Sequence, residues 1–383
     1  MFVSARRIIH RKIYLTLDKN WELLTLPERR RYLSEDRLGL AVKVLPELAA
    51  HGVLSYARQL FINLGWDFTP TNLQPFNHYF QCFDRIQELS ISRLDTPGFL
   101  ENFDTYFANV VPTLQSLHLE GPIGETRDIL DFICRFPHLD DLSLKMSIST
   151  DPRDQRTWSS GTLPVVKSMP PFRGRLKLDG IIERRGSLLQ QLTSLPGKRS
   201  FRSVVFRNCE SEAAQPIVSA CCSTLASVST TWGKFSKHQP TLSQNHHSED
   251  ATAERGLPLN LTDATNLRSL TLRASFGIIS LPNDVLFQTL STISSPFFSE
   301  FILEVEKVPK NLEPGNDAWG WWGRWAELDE MFERIDMERG FRVVFRAEEV
   351  DRELNFTAQA EGQLPLMAAR KRVIFEIGPF PEK

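Results

Sequence analysis

The chain has 383 residues, 41% of them hydrophobic and 10% aromatic, enough apolar material for a sizeable core and too much for a disordered polymer. Its 45 basic and 47 acidic residues leave a formal net charge of −2, which argues against a dedicated nucleic-acid binder, where a basic excess or stripe is expected. The five cysteines, Cys82, Cys134, Cys209, Cys221 and Cys222, are odd in number and form no C-x-x-C pair. They point away from a disulfide framework or a cysteine zinc site and toward a reducing compartment, cytosol or nucleus. No run approaches the roughly 18 uninterrupted apolar residues of a membrane span, so no membrane partner is expected.

In chain order, MFVSARRIIHRKIYLTL opens with Arg6, Arg7, Arg11 and Lys12 and no acid before Asp18. It lacks the apolar stretch of a secretory signal. An acid-free, Arg-rich start also fits a mitochondrial transit peptide, but a basic helix end running into a strand, Ile13 to Leu17, is the preferred reading. The first 80 residues lean toward helix, with LPERRRYL (26–33) and DRLGLAVKVLPELAAHGVL (36–54) as one or two irregular repeats.

A repeat then emerges. IQELSIS (86–92), LQSLHLE (114–120), LDDLSLK (139–145) and LRSLTLR (267–273) each carry Leu or Ile at relative positions 1, 4 and 6. The middle leucines Leu89, Leu117 and Leu142 are 28 and 25 residues apart, and Leu270 lies 128 further on, close to five more steps. Looser copies occupy the gap, FRGRLKLDG (172–180), FRSVVFRN (201–208) and LASVSTT (225–231), and FFSEFILEV (297–305) follows. Pro112, Pro137 and Pro296 sit just before strand segments, suiting a step from helix to strand because proline cannot continue a helix.

Between these strands lie amphipathic stretches. FLENFDTYFANVV (99–111) sets Phe99, Phe103, Tyr106, Phe107 and Val110 on one helical face, and ETRDILDFICRF (125–136) does the same with Ile129, Phe132, Ile133 and Phe136. SLLQQLTSL (187–195), AAQPIVSACCSTL (213–225) and DVLFQTLSTI (284–293) follow, with Asp128 and Asp284 suited to helix N-termini. Strand, turn, helix and proline at 24–34 residues per unit match the plan of a leucine-rich repeat. A doubly wound sheet would show longer Val/Ile runs and a Gly-rich first turn, and neither is present.

The expected fold is therefore an α/β leucine-rich-repeat-like solenoid, a curved parallel sheet with helices on its convex side. Residues 1–20 hold an N-terminal segment and first strand. Residues 21–305 form the solenoid, with polar insertions at 149–171 and 235–258. Residues 306–383 form a C-terminal cap, with a helix at 325–340 ending at Gly340 and closing strands at 341–347 and 372–377.

No G-x-S-x-G, H-E-x-x-H, P-loop or G-x-G-x-x-G pattern occurs, so no enzyme activity, cofactor or metal is expected. His246 and His247 sit in a polar insertion that offers no rigid outer shell for a metal, and Cys221 and Cys222 read as structural thiols. WGWWGRW (319–325) offers Trp319, Trp321, Trp322 and Trp325 as an aromatic binding surface or, the preferred reading, as a cover for the apolar end of the solenoid, with Arg324 stacked nearby. Strand alternation yields the candidate binding face. With Leu117 and Leu119 inward, Ser116, His118 and Glu120 face outward, followed on later strands by Asp141, Ser143 and Lys145, then Arg175, Lys177 and Asp179, then Ser203 and Arg207, then Ser269, Thr271 and Arg273. Such a ladder is either a ligand surface for a protein partner or simply a solvated strand face.

FRGRLKLDGI (172–181), LLQQLTSLPG (188–197), FRSVVFRNCE (201–210) and AQPIVSACCSTLASVSTTWGKF (214–235) resemble the F-box/leucine-rich-repeat proteins of basidiomycete fungi, a likeness covering most of 85–305. The resemblance implies repeats that recruit a protein substrate, behind an F-box that docks on the Skp-type adaptor of a cullin-RING ubiquitin ligase. A full F-box with its Leu-Pro opening is not seen before the first strand, and MFVSARRIIHRKIYLTLD resembles only the tail of such a module. A free-standing interaction protein without ligase association is the alternative.

Overall fold

The computed structural model describes residues 12–17, 39–41, 45–64, 74, 77–92, 99–100, 102–121, 126–146, 172–180, 192, 200–207, 209, 211–232, 258–275, 283–306, 324–347 and 361–378. The chain divides into two compact units, Met1–Ile181 with Arg185–Arg199, and Ile182–Arg184 with Ser200–Lys383.

The first unit contains strands β1 (Lys12–Leu17), β2 (Gly39–Ala41), β3 (Gln59–Leu64), β4 (Glu88–Ser92), β5 (Ser116–Gly121), β6 (Asp141–Met146) and β7 (Arg175–Asp179). All pair in parallel, in the order β2-β1-β3-β4-β5-β6-β7. Helices α1 (Leu45–Ala50), α2 (Asn77–Phe80), α3 (Phe103–Phe107) and α4 (Thr126–Ile133) lie in the connections. The second unit lays out β8 (Ser203–Arg207), β9 (Ser227–Trp232), β10 (Ser269–Ser275), β11 (Glu300–Glu306), β12 (Arg342–Ala347) and β13 (Val373–Ile377) in chain order, again wholly parallel. Its helices are α5 (Ser211–Cys221), α6 (Asn283–Ser291), α7 (Trp325–Arg339) and α8 (Pro365–Ala369). Each unit is thus an open, repetitive α/β array of the solenoid kind.

The leucine pattern sets the core. Positions 1, 4 and 6 of the repeat, Ile86/Leu89/Ile91, Leu114/Leu117/Leu119, Leu139/Leu142/Leu144 and Leu267/Leu270/Leu272, are all buried, as are Phe298, Phe301 and Leu303. Alternation puts positions 4 and 6 on one face of the sheet, and each strand needs its neighbour to cover that face. In the first unit the covering layer is aromatic. Phe103 lies 4.9 Å from Phe107, 5.0 Å from Phe132 and 5.9 Å from Phe136, the last two edge-to-face. In the second unit α7 takes this place, with Phe332 5.1 Å from Phe301 and Trp325 6.2 Å from Phe345.

A backbone device recurs at the entries of β4, β5, β6, β9, β10 and β11. One carbonyl accepts two successive N–H groups from the next repeat. Arg58 O takes Gln87 and Glu88, Gln87 O takes Gln115 and Ser116, and Gln115 O takes Asp140 and Asp141. In the second unit Arg202 O, Ala226 O and Arg268 O do the same. Hydroxyls just upstream close the preceding turn: Thr113 donates to Ile86 O at 2.7 Å, Thr224 to Phe201 O at 3.1 Å and Ser295 to Leu267 O at 2.7 Å. These bonds satisfy peptide groups that a loop-to-strand corner would otherwise bury unpaired.

Several expectations shift. Among the described residues of the first 80, strands β1, β2 and β3 stand beside the short helices α1 and α2, and β3 has the alternating burial of a true sheet member. The stretch 99–111 yields only the short helix Phe103–Phe107 followed by turns, although its predicted stripe is fully buried. The predicted C-terminal helix and strands appear as α7, β12 and β13, and Gly340 adopts φ 69°, ending α7 with its N–H bonded to Asp336 O. The polar insertion 149–171, residues 26–33, His246, His247 and nearly all of 187–195 and 235–258 lie outside the described residues.

A candidate protein-binding face

In the first unit the register aligns the outward side chains into rows, because parallel strands pair residue for residue about 4.8 Å apart. The central row runs Tyr14, Phe61, Ser90, His118, Ser143, Lys177 across six strands, a span of about 24 Å at that spacing. One flanking row runs Lys12, Gln59, Glu88, Ser116, Asp141, and the other Asn63, Ser92, Glu120, Lys145, Asp179. The predicted residues Ser116, His118, Glu120, Asp141, Ser143, Lys145, Arg175, Lys177 and Asp179 are therefore brought together on one surface.

That surface has two ends of different chemistry. Tyr14 and Phe61 stack with centroids 4.3 Å apart and planes 11° from parallel, between Gly39 and Ser90 in the same row. The other end is charged and internally matched. Lys145 pairs with Glu120 at 2.5 Å, and Asp141 Oδ1 accepts the backbone N–H of Arg175 at 2.6 Å. Gly174 makes the second contact possible, because a Cβ there would collide with that same Asp141 oxygen.

His118 sits between the ends, half-buried, with Nδ1 2.7 Å from Ser143 Oγ. Burial is the main cause holding its pKa below the usual imidazole value, Lys177 and Lys145 push the same way, and Glu120 and Asp179 oppose them. A neutral imidazole bonded to a serine hydroxyl is one half of a nucleophilic pair. Among the described residues no carboxylate is hydrogen-bonded to its ring, and the parallel ladders on both sides of β5 engage the backbone N–H groups from which an oxyanion hole would be built.

The second unit differs. Its outward rows are Ser203, Ser227, Ser269, Glu300, Arg342; then Val205, Ser229, Thr271, Ile302, Val344, Ile374; then Thr231, Arg273, Glu304, Arg346, Glu376. Arg207 is half-buried at the end of β8. The middle row is largely covered, with Thr271 6%, Ile302 1% and Val344 1% exposed. Beside it, charges alternate across the strands. Arg273 Nε meets Glu304 at 3.0 Å, Arg346 Nη1 meets Glu304 at 3.3 Å, and Arg346 Nε meets Glu376 at 2.5 Å. Burial alone would weaken the Arg346 charge, but hydrogen bonds and attraction from Glu376 and Glu304 outweigh it and raise its pKa. Arg273 and Thr271 thus belong to a packed, ion-paired face rather than an open one.

Of the tryptophans, Trp325 is buried at the start of α7 against Phe345, while Trp319, Trp321 and Trp322 lie outside the described residues. Arg324 stacks on Phe287 of α6 at 4.3 Å and pairs with Glu327. Of the thiols, Cys209 and Cys221 are buried, Cys82, Cys134 and Cys222 are half-buried, and burial, aided by Asp131, pushes Cys134 up to about 11. Among the described residues no cluster of metal-ligating side chains occurs, and no helix is long and apolar enough to cross a membrane.

Sequence reasoning missed Tyr14 and Phe61, the most distinctive pair on the face. The alternation in QLFINL would have placed Phe61 among the outward positions. It also missed the partners of Arg273, although Glu304 lies in the recognised segment 297–305. No family model matches this chain, and no curated protein matches it.

Proposed function

We propose that this chain is a non-enzymatic protein-interaction module whose binding surface is the outward strand face of the first unit. The observation that carries this reading is the unbroken central row from the Tyr14–Phe61 stack through Ser90, His118 and Ser143 to Lys177. It joins an aromatic anchor to a hydrogen-bonding and charged strip on one rigid scaffold. Aromatic anchors on preorganised surfaces dominate binding energy, and paired charges around them set register. The resemblance to F-box repeat proteins makes a ligase substrate the favoured partner and a Skp-type adaptor the second one, in cytoplasm or nucleus.

Binding of the purified full chain to a purified Skp-type adaptor tests the ligase half. The matching truncation must stop at Arg11, because β1 is an internal strand paired with both β2 and β3 and its removal would dismantle the sheet. Adaptor binding lost on removing residues 1–11 supports ligase association; no binding leaves the free-standing interaction protein. For the face itself, a photo-crosslinker replacing Ser90 should capture the same partner as one replacing Ser143. Capture at neither position, with the partner still bound, overturns the assignment.

A further inference from the structure

Among the described residues the last strand of the second unit ends the sheet with no proline, lysine or bulge within it. Among the described residues no strand lies beyond β13. Natural edges are blunted by proline, by lysine within the strand, by a bulge or by short length. Val373–Ile377 reads VIFEI, has no proline or lysine, and keeps regular register with β12 over its full length. Its one charge, Glu376, is turned onto Arg346. Ile377 is 68% exposed, and the other large exposed apolar side chains include Met337 of α7 and Leu366 of α8, the two helices that precede it.

The hydrogen-bond parity of the strand is defined. Val343 N–H donates to Arg372 O, and Gly378 N–H donates to Ala347 O, so even-numbered residues turn their peptide groups toward β12. The peptide groups of Val373 and Ile377 then point to the outer edge.

We infer that β13 pairs antiparallel with β13 of a second copy of this chain, across a two-fold axis at Ile374. Charge selects both the occupant and the register. Centred on Ile374, the pairing sets Arg372 opposite Glu376 of the partner subunit, and by symmetry does so twice. Both side chains have capacity left, at 44% and 49% exposed, beyond their bonds to Asp336 and Arg346. Centring on Phe375 instead would set Ile374 opposite the partner's Glu376 twice and form no ion pair. The chosen register also agrees with the backbone. Val373 and the partner's Phe375, with outward peptide groups, fall at a hydrogen-bonded site, and Ile374 meets its symmetry mate at the closer non-hydrogen-bonded site.

Light scattering on the full chain between about 1 and 100 µM tests this. A concentration-dependent dimer is expected. Ile377→Lys, which puts a cation near Lys371 of the partner subunit, should weaken it about tenfold, since symmetry counts each change twice. Ile374→Cys, in a background where the half-buried Cys82, Cys134 and Cys222 are replaced by serine, should give a disulfide-linked dimer on mild oxidation that the background protein does not give. Circular dichroism establishes that both variants are folded. A wild type that stays monomeric throughout the range overturns the inference. So does a dimer indifferent to Ile377→Lys and not cross-linked through position 374, because a different surface then joins the copies.

Discussion

Replacing Glu304 by glutamine removes one charge while keeping the side chain's shape, at the centre of the second unit's ion-pair row. Glu304 is 5% exposed and bridges Arg273 at 3.0 Å and Arg346 at 3.3 Å, whose side chains are themselves 12% and 13% exposed. Without Glu304, Arg273 loses its carboxylate in this row, and Arg346 keeps only Glu376, which is half-exposed and therefore screened. Removing one member of a buried ion pair costs about 3–5 kcal/mol, because the remaining charge stays largely out of water with less of its compensation. Glutamine still accepts one hydrogen bond, so the expected loss is about 3 kcal/mol. Urea unfolding followed by tryptophan fluorescence reads it, since Trp325 packs on Phe345, next to Arg346. The triple change Arg273→Met, Glu304→Leu, Arg346→Met is the control. Converting the whole row to apolar side chains should leave stability within about 1 kcal/mol of wild type or raise it. A single-variant loss below about 1 kcal/mol, or a triple variant as damaged as the single one, would refute the claim that the row is held by mutual compensation.

The remaining expectations concern the first unit's core, the C-terminal cap and the central histidine. Phe103→Ala should cost about 3–5 kcal/mol in urea unfolding, because it empties the centre of the Phe99–Phe107–Phe132–Phe136 cluster. Asp329 of α7 accepts the N–H groups of Leu366 at 2.7 Å and Met367 at 3.1 Å, so Asp329→Ala should destabilise α8 by about 1–2 kcal/mol, seen as faster amide exchange at 366–369. Burial raises the Asp329 pKa against the pull of those two N–H bonds, so the folded chain holds this proton more tightly than the unfolded one. Wild type should accordingly gain stability relative to Asp329→Asn as pH falls through the folded-state pKa, with no further gain below the unfolded value of about 3.8. The His118 pKa is lowered, so its contribution is fully present above the unfolded value of 6.5 and lost as pH falls through the folded one. His118→Gln should flatten stability over that interval, and an NMR titration placing the His118 midpoint at or above 6.5 would contradict the burial argument.

The repeating leucines determined the fold class by themselves. Positions 1, 4 and 6 recur at 24–34 residues, and strand alternation turns that pattern into one buried face with polar residues opposite. Ser116, His118, Glu120, Asp141, Ser143 and Lys145 were legible for that reason, each flanked by leucines that the structure buries. Tertiary structure decided what lies beside them. Tyr14 and Phe61 are 47 residues apart in sequence and meet only because β1 pairs with β3 while β2 takes the outer position. Likewise, polar alternation gave Thr271 and Arg273 the same outward assignment as His118. Pairing across β10, β11 and β12 set Arg273 beside Glu304 and Thr271 beside Ile302 and made that face a packed, compensated one. Periodicity tells which way a side chain points along its own strand; which strands become neighbours, and so which charges and rings meet, is settled by closing loops dozens of residues long, and no local pattern encodes that.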